Sequence, residues 1–160
     1  MAARYVPISE ADMRAELADM GFEQVPNGKG ELTFQRQVKE THYAIRIYTT
    51  IVHGESRDCG EDAIRVLLIN TKTDRPVKVL DKETTPKPDG SMPKAGCKVL
   101  RTKSALTNMR ERARDYWRHV AGHPCPECGS VMAVRTNRAA RTKFLGCTNY
   151  PDCSATGQLS

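Results

Sequence analysis

The sequence predicts an α+β protein, an antiparallel sheet flanked by N- and C-terminal helices and followed by a small cysteine-rich ribbon. Three observations predict it. Runs rich in β-branched and aromatic residues fill the middle of the first 120 residues. A segment with apolar residues at helical spacing lies on either side of those runs. Four of the six cysteines fall within the stretch 123–160, which is too short to bury much of a core of its own.

SEADMRAELADMGF (9–22) reads as the first helix, with Ser9 as N-cap, acidic residues in its first turn, and Met13, Leu17 and Met20 on one stripe. Gly21 and then PNGKG (26–30) end it. ELTFQRQV (31–38), HYAIRIYTTI (42–51) and DAIRVLLINTK (62–72) read as strands, and PVKVLDKE (76–83) as a weaker fourth. In the second of these, Tyr43, Ile45, Ile47, Thr49 and Ile51 share one face, while Arg46 and Tyr48 share the other with Arg65. TTPKPDGSMPKAG (84–96) carries three prolines and two glycines and reads as an exposed loop. KVLRT (98–102) returns to the sheet. SALTNMRERARDYWRHV (104–120) is the second helix, its stripe made by Leu106, Met109, Ala113, Tyr116 or Trp117, and Val120. AGHP (121–124) marks a boundary, so the expected domains are 1–121 and 122–160.

Charge is unevenly spread. The net of +6 resolves into about −1 over residues 1–97, about +5 over 98–119 and about +2 over 120–160. A basic patch late in the chain suits a polyanionic partner, nucleic acid above all. No apolar run approaches the roughly 18 residues of a membrane span. The N-terminal MAARYVPISEADMR lacks the apolar stretch of a secretory signal. The expected address is therefore the cytoplasm, where cysteines serve as metal ligands or buried thiols rather than as disulfides.

The cysteine module reads Cys125-Pro-Glu-Cys128, then eighteen residues, then Cys147-Thr-Asn-Tyr-Pro-Asp-Cys153. A short Cys-x-x-Cys turn presents two thiolates to one ion, and the second cysteine pair completes the tetrahedron that zinc requires. Pro126 stiffens the first turn, and Gly129 lets the backbone leave it in a left-handed conformation. VMAVRT and RTKFLG, joined by NRAAR, supply two short strands between the pairs. This is the layout of a zinc ribbon holding one Zn²⁺ on Cys125, Cys128, Cys147 and Cys153. A redox Cys-x-x-Cys is disfavoured by the second pair and by the missing βαβ pattern.

The wording Cys125-Pro126-x-Cys128-Gly129-x-x-Met132-x-x-Arg135, followed by Phe144-x-Gly146-Cys147-x-x-Tyr150-Pro151-x-Cys153, resembles the four-cysteine zinc finger at the C-terminal end of bacterial type I topoisomerases. The resemblance covers about a quarter of the chain. It implies DNA binding, mostly of single strands, by a module separate from the cleavage chemistry. The connecting turn Asn137–Lys143 is longer and more basic than that resemblance implies. The topoisomerase catalytic core, with its active-site tyrosine and acidic cluster, is several times longer than this chain, and none of Tyr5, Tyr43, Tyr48 or Tyr116 sits in a matching context.

Within the ribbon the candidate nucleic-acid contacts are Arg135, Arg138, Arg141, Lys143 and Tyr150, the last equally able to pack on a knuckle instead. Phe144 is expected to serve as the small domain's core. On the second helix, Arg110, Arg114 and Arg118 recur at i, i+4 and i+8 as a phosphate-tracking ridge, Glu111–Arg114 and Asp115–Arg118 pairs being the bland alternative. The Arg46, Tyr48 and Arg65 face is a further platform candidate, more often just the wet side of a sheet, or covered by a helix. Lys87-Pro-Asp89-Gly90 spells a nucleotidyltransferase wording in a loop without the rest of such an enzyme, a chance match. Cys59 and Cys97 read as unpaired thiols, and His123 as an unneeded ligand.

Together these readings predict a non-enzymatic DNA-binding accessory protein, with single-stranded DNA as the preferred partner. Two rivals stand beside it. One is a Mg²⁺-dependent nuclease using Glu55, Asp58, Glu61 and Asp62, and the other an RNA-binding or protein-bridging module.

Overall fold

A computed structural model describes residues 10–26, 32–49, 63–100, 105–137 and 139–159. Helix α1 spans Glu10–Asp19. It ends where Gly21 adopts φ +84° and the Phe22 amide donates to the Leu17 carbonyl at 2.9 Å, which satisfies a carbonyl the helix leaves open. Ser9, the expected cap, lies outside the described residues.

The main sheet is built from β1 (Glu23–Gln24), β2 (Leu32–Gln37), β3 (Tyr43–Thr49), β4 (Ala63–Asn70) and β5 (Arg75–Pro76) in that order. A later strand, β6 (Cys97–Leu100), also pairs with β4, and every pairing is antiparallel. The pleat sorts the side chains as their alternation predicts. Phe34, Ile45, Ile47, Val66 and Leu68 are buried together beneath Met13 and Leu17 of α1 and Met109, Ala113, Tyr116 and Val120 of α3 (Ala105–Gly122). One sheet face thus carries both helices.

The expected strand 76–83 is a correction. Only Arg75–Pro76 pairs, and the chain then turns into a one-turn helix, α2 (Asp81–Thr84). The cause is Glu83, fully buried, whose carboxylate accepts the amides of Val79 (3.3 Å), Leu80 (3.1 Å) and Gly96 (2.6 Å). Three amide donors stabilise a charge that burial would otherwise penalise, and they bend the backbone away from the strand. Gly96 has φ +92°, and a Cβ there would lie 2.2 Å from the Leu67 side chain. The loop before it is exposed, as expected, and turns through Lys87–Ser91 with Asp89 accepting from the Ser91 amide and hydroxyl.

A second, three-stranded sheet comprises β7 (Met132–Asn137), β8 (Thr142–Cys147) and β9 (Thr156–Gln158), with β8 in the centre. Its own core is Met132, Val134 and Leu145 against Cys125 and Cys147. The two cores meet along β7. Val131 and Ala133, on the alternate face of that strand segment, are buried in the main core. Hydrogen bonds along β7 and its approach fasten the seam. The Val131 amide donates to the Tyr43 hydroxyl (3.0 Å), and the Val134 amide to the Val79 carbonyl (2.9 Å). The Thr84 hydroxyl donates to the Val134 carbonyl (2.6 Å), and His119 Nε2 to the Met132 carbonyl (2.6 Å). Burial holds the His119 imidazole below its ordinary pKa, consistent with a neutral ring donating one proton.

Among the described residues no helix is long and apolar enough to cross a membrane.

Candidate metal centre and nucleic-acid surface

Two knuckles deliver the four thiols. In the first, the Cys125 amide donates to the Ser130 carbonyl (2.6 Å) and the Gly129 amide to the Cys125 carbonyl (3.0 Å). Gly129 adopts φ +78°, the left-handed conformation its position in the turn requires. In the second, the Tyr150 amide donates to the Cys147 carbonyl (3.2 Å) and the Cys153 amide to the Asn149 carbonyl (3.1 Å). The Asn149 amide points at the Cys147 sulfur from 3.4 Å, where it stabilises thiolate charge. Pairing of Met132 with Cys147 across β7 and β8 joins the halves.

The sulfurs of Cys125, Cys128, Cys147 and Cys153 all lie within 4.8 Å of one another. Cys125 and Cys153 Sγ are 3.7 Å apart, and Cys128 and Cys147 Sγ 3.3 Å. Ligands about 2.3 Å from a tetrahedral zinc sit about 3.8 Å from each other, so the donor set fits that ion in size and chemistry. The separations are far beyond the roughly 2.05 Å of a disulfide. Hydrogen bonds with Ser130, side chain first, lower the Cys128 thiol to about 6, whereas burial pushes Cys147 up to about 12. A cluster of this kind cannot hold four bare thiolates, and a dication resolves the conflict. The site takes one Zn²⁺, which supplies a structural cross-link between the knuckles. His123 is not part of the cluster; its ring lies 4.7 Å from that of His119. Cys97 is a free, buried thiol 3.6 Å from the Tyr116 hydroxyl, and Cys59 lies outside the described residues.

Around this centre the expected contact residues fare differently. Tyr150 stands on the second knuckle with 70% of its surface exposed. Phe144 corrects the expectation for it. It pairs with Arg135 across the sheet, is only partly buried, and is absent from the ribbon core. The pleat explains this, because Leu145 takes the inward parity and Phe144 shares the face of Gly146 and Arg135. Arg135 is exposed and lies close over Gly146. Arg141 is exposed in the turn at φ +56°. Lys143 donates to Asp81 of α2, and that bond holds the Asp81 carboxyl below its ordinary pKa. Arg138 lies outside the described residues.

The helix ridge is divided. Arg110 is paired with Glu16 and Asp19 of α1. Arg114 and Arg118 are exposed and have no ion pair among the described residues, and the intrahelical pair present is Arg112–Asp115. On the outer sheet face Arg46 is 15% exposed and held by Gln35, Tyr48 and Asp74, while Arg65 donates to the Ala95 carbonyl. Ala44, Leu67 and Ile69 of the same face are buried, so these arginines are engaged within the fold on a largely covered face rather than presented as a platform. The acidic residues Glu55, Asp58, Glu61 and Asp62 lie outside the described residues.

Two clefts escaped the sequence reading. A cleft of about 380 Å³ opens between α1, α3 and the sheet, where the Arg36 guanidinium stacks over Trp117 at 4.4 Å. Another, of about 350 Å³, lies at the seam and is lined by both Lys78 and Arg135. No local spacing connects residues so far apart in sequence.

Comparison with known proteins agrees with the geometry. Residues 122–160 match the family described as topoisomerase DNA binding C4 zinc finger, and this segment is a topoisomerase-type zinc ribbon. A 32-residue stretch is 53% identical to DNA topoisomerase 1 of Archaeoglobus fulgidus, covering 20% of this chain and 5% of that protein. A stretch of 56 residues is 36% identical to an uncharacterized protein of Methanocaldococcus jannaschii, covering 35% and 18% of the two chains. DNA topoisomerase 1 of Methanothermobacter thermautotrophicus is 30% identical over 64 residues, or 34% of this chain and 9% of that one. The chain thus spans less than a fifth of the length of these relatives. No solved structure matches it.

Proposed function

We propose that this chain binds single-stranded DNA through its zinc ribbon and acts, without catalysis of its own, as an accessory factor in replication, recombination or repair. The observation that carries this reading is the exposed Tyr150 on a knuckle of a topoisomerase-type ribbon. Single strands are held by aromatic rings under bases and by cations along phosphates. Tyr150 and the partly buried Phe144 supply the rings, and Arg135 and Arg141 the charge. Four thiolates with Zn²⁺ carry a formal −2, which offsets the ribbon's net positive charge, so local placement rather than bulk attraction governs contact.

Titration of the zinc-loaded chain against single-stranded DNA, duplex DNA and RNA across a salt series tests the reading. It predicts tightest binding to single-stranded DNA, with an affinity that falls steadily as salt rises. Weak, substrate-blind binding without a salt slope overturns it. A Mg²⁺-dependent cleavage assay tests the non-enzymatic part. Strand cleavage that disappears in Asp58→Ala and Asp62→Ala while binding persists would make the protein a nuclease with a DNA-holding ribbon.

A further inference from the structure

The seam between the two sheets is open at one end. There Asn70, Val77 and Lys78 of the α+β part, Met92 of the proline-rich loop, and Arg135 and Thr148 of the ribbon line a cleft of about 350 Å³. We propose that this cleft is a nucleotide subsite on the path of a bound DNA strand, which leaves the Tyr150 knuckle and crosses onto the α+β part. The inference rests on the single-strand reading above and gives the N-terminal region a share in it.

Charge points to an anionic occupant. Among the described residues the cleft is lined by two cations, Lys78 and Arg135, and by no carboxylate. Arg135 is firmly placed, because the residue before it is bonded on both sides of its peptide to the α+β part, through Val79 and Thr84. Its guanidinium is not drawn into an ion pair among the described residues, in contrast to Arg110 and Lys143. A phosphate lodged between Lys78 and Arg135 would engage one cation from each part of the molecule.

The apolar lining suits a base. Met92 is one of three large hydrophobic side chains exposed among the described residues, at 51%, and Tyr150 is another. Thr148 lines the cleft, and Tyr150 follows two residues later on the same knuckle. The Thr148 amide and hydroxyl are both turned to the Val131 carbonyl (3.2 and 2.7 Å), which fixes the knuckle against β7. A thioether beside Val77 offers a polarizable, sequence-tolerant surface to a base. The volume falls within the range of small-ligand sites and accommodates one nucleotide rather than a duplex.

The test is fluorescence anisotropy of the full zinc-loaded chain with labelled oligo(dT) over a salt series, for Lys78→Ala, Met92→Ser and Tyr150→Ala. Lys78→Ala is expected to weaken binding about 5- to 10-fold and to lower the salt slope by about 0.7, the signature of one lost single-strand phosphate contact. Met92→Ser is expected to weaken binding a few-fold without changing the slope, because no charge is removed. A bromodeoxyuridine oligomer should photocross-link to a peptide containing Val77 or Met92. If Tyr150→Ala weakens binding while both seam variants keep wild-type affinity and slope, the subsite is refuted and the single-strand reading survives. If the wild type itself shows no salt-dependent binding to oligo(dT), the single-strand reading fails first. Equal zinc content and melting temperature in the variants exclude misfolding. A Lys78→Ala defect seen with oligo(U) but absent with oligo(dT) refutes the DNA subsite in favour of RNA.

Discussion

Tyr43→Phe removes one oxygen atom and tests whether the ribbon is built into the molecule or merely tethered to it. The Tyr43 ring is buried on the helix-covered face of the main sheet, and its hydroxyl accepts the Val131 amide at 3.0 Å. Val131 is 1% exposed, so the amide cannot turn to water when the acceptor goes. An orphaned buried donor costs about 1–3 kcal/mol. For a chain of this size each kcal/mol lowers the melting temperature by about 2–4 °C, so a central loss of about 2 kcal/mol gives about 4–8 °C. The assay is thermal unfolding of the zinc-saturated chain followed by circular dichroism. Tyr150→Phe, which changes the same atom on an exposed ring, should stay within about 0.5 kcal/mol of wild type. If Tyr43→Phe melts at the wild-type temperature, the seam as described contributes nothing, and the ribbon behaves as an independent unit.

Other substitutions address the site. Tyr150→Ala should weaken single-stranded DNA binding about 5- to 150-fold, the equivalent of about 1–3 kcal/mol for one stacked base, in an electrophoretic or anisotropy titration. Ser130→Ala removes the leading cause of the depressed Cys128 thiol, so that a proton must be displaced before zinc binds. Zinc affinity, measured by competition with a chromogenic chelator, should fall about 10-fold near pH 7, and the difference should vanish above about pH 9, where both forms are ionised. The depressed His119 pKa predicts a separate loss of stability as pH falls below about 6.5. The unfolded chain takes up a proton there that the folded ring refuses, so His119→Gln should flatten the fall in denaturant titrations between pH 7 and pH 5.

How much of this was legible in the sequence depends on the range of the interaction concerned. The strands at 32–37, 43–49 and 63–70 and the helix at 105–122 follow from side-chain periodicity, a local property, and the structure reproduces them within a few residues. The metal centre was legible for the same reason, since each knuckle is a short turn whose cysteine spacing already encodes its geometry. The segment 76–83 misled because Val77-Lys78-Val79 alternates like a strand. Its path is instead set by the carboxylate of Glu83 and the distant amide of Gly96. Phe144 misled because size suggests a core residue, whereas strand parity gives that position to Leu145. Arg110 and Arg114 are indistinguishable in a helical pattern, and only the packing of α1 shows that Arg110 meets Glu16. The seam joins Tyr43 to Val131 and places Lys78 and Arg135 around one cleft, residues that no short window contains.

The central claim is that zinc on the four cysteines organises a surface for single-stranded DNA, and one measurement addresses it most directly. Wild type and Cys128→Ser are assayed together for zinc by elemental analysis and for oligo(dT) binding by anisotropy. The account predicts one zinc per wild-type chain with salt-dependent binding, and loss of both in Cys128→Ser. Full oligo(dT) affinity in a zinc-free Cys128→Ser chain would contradict it.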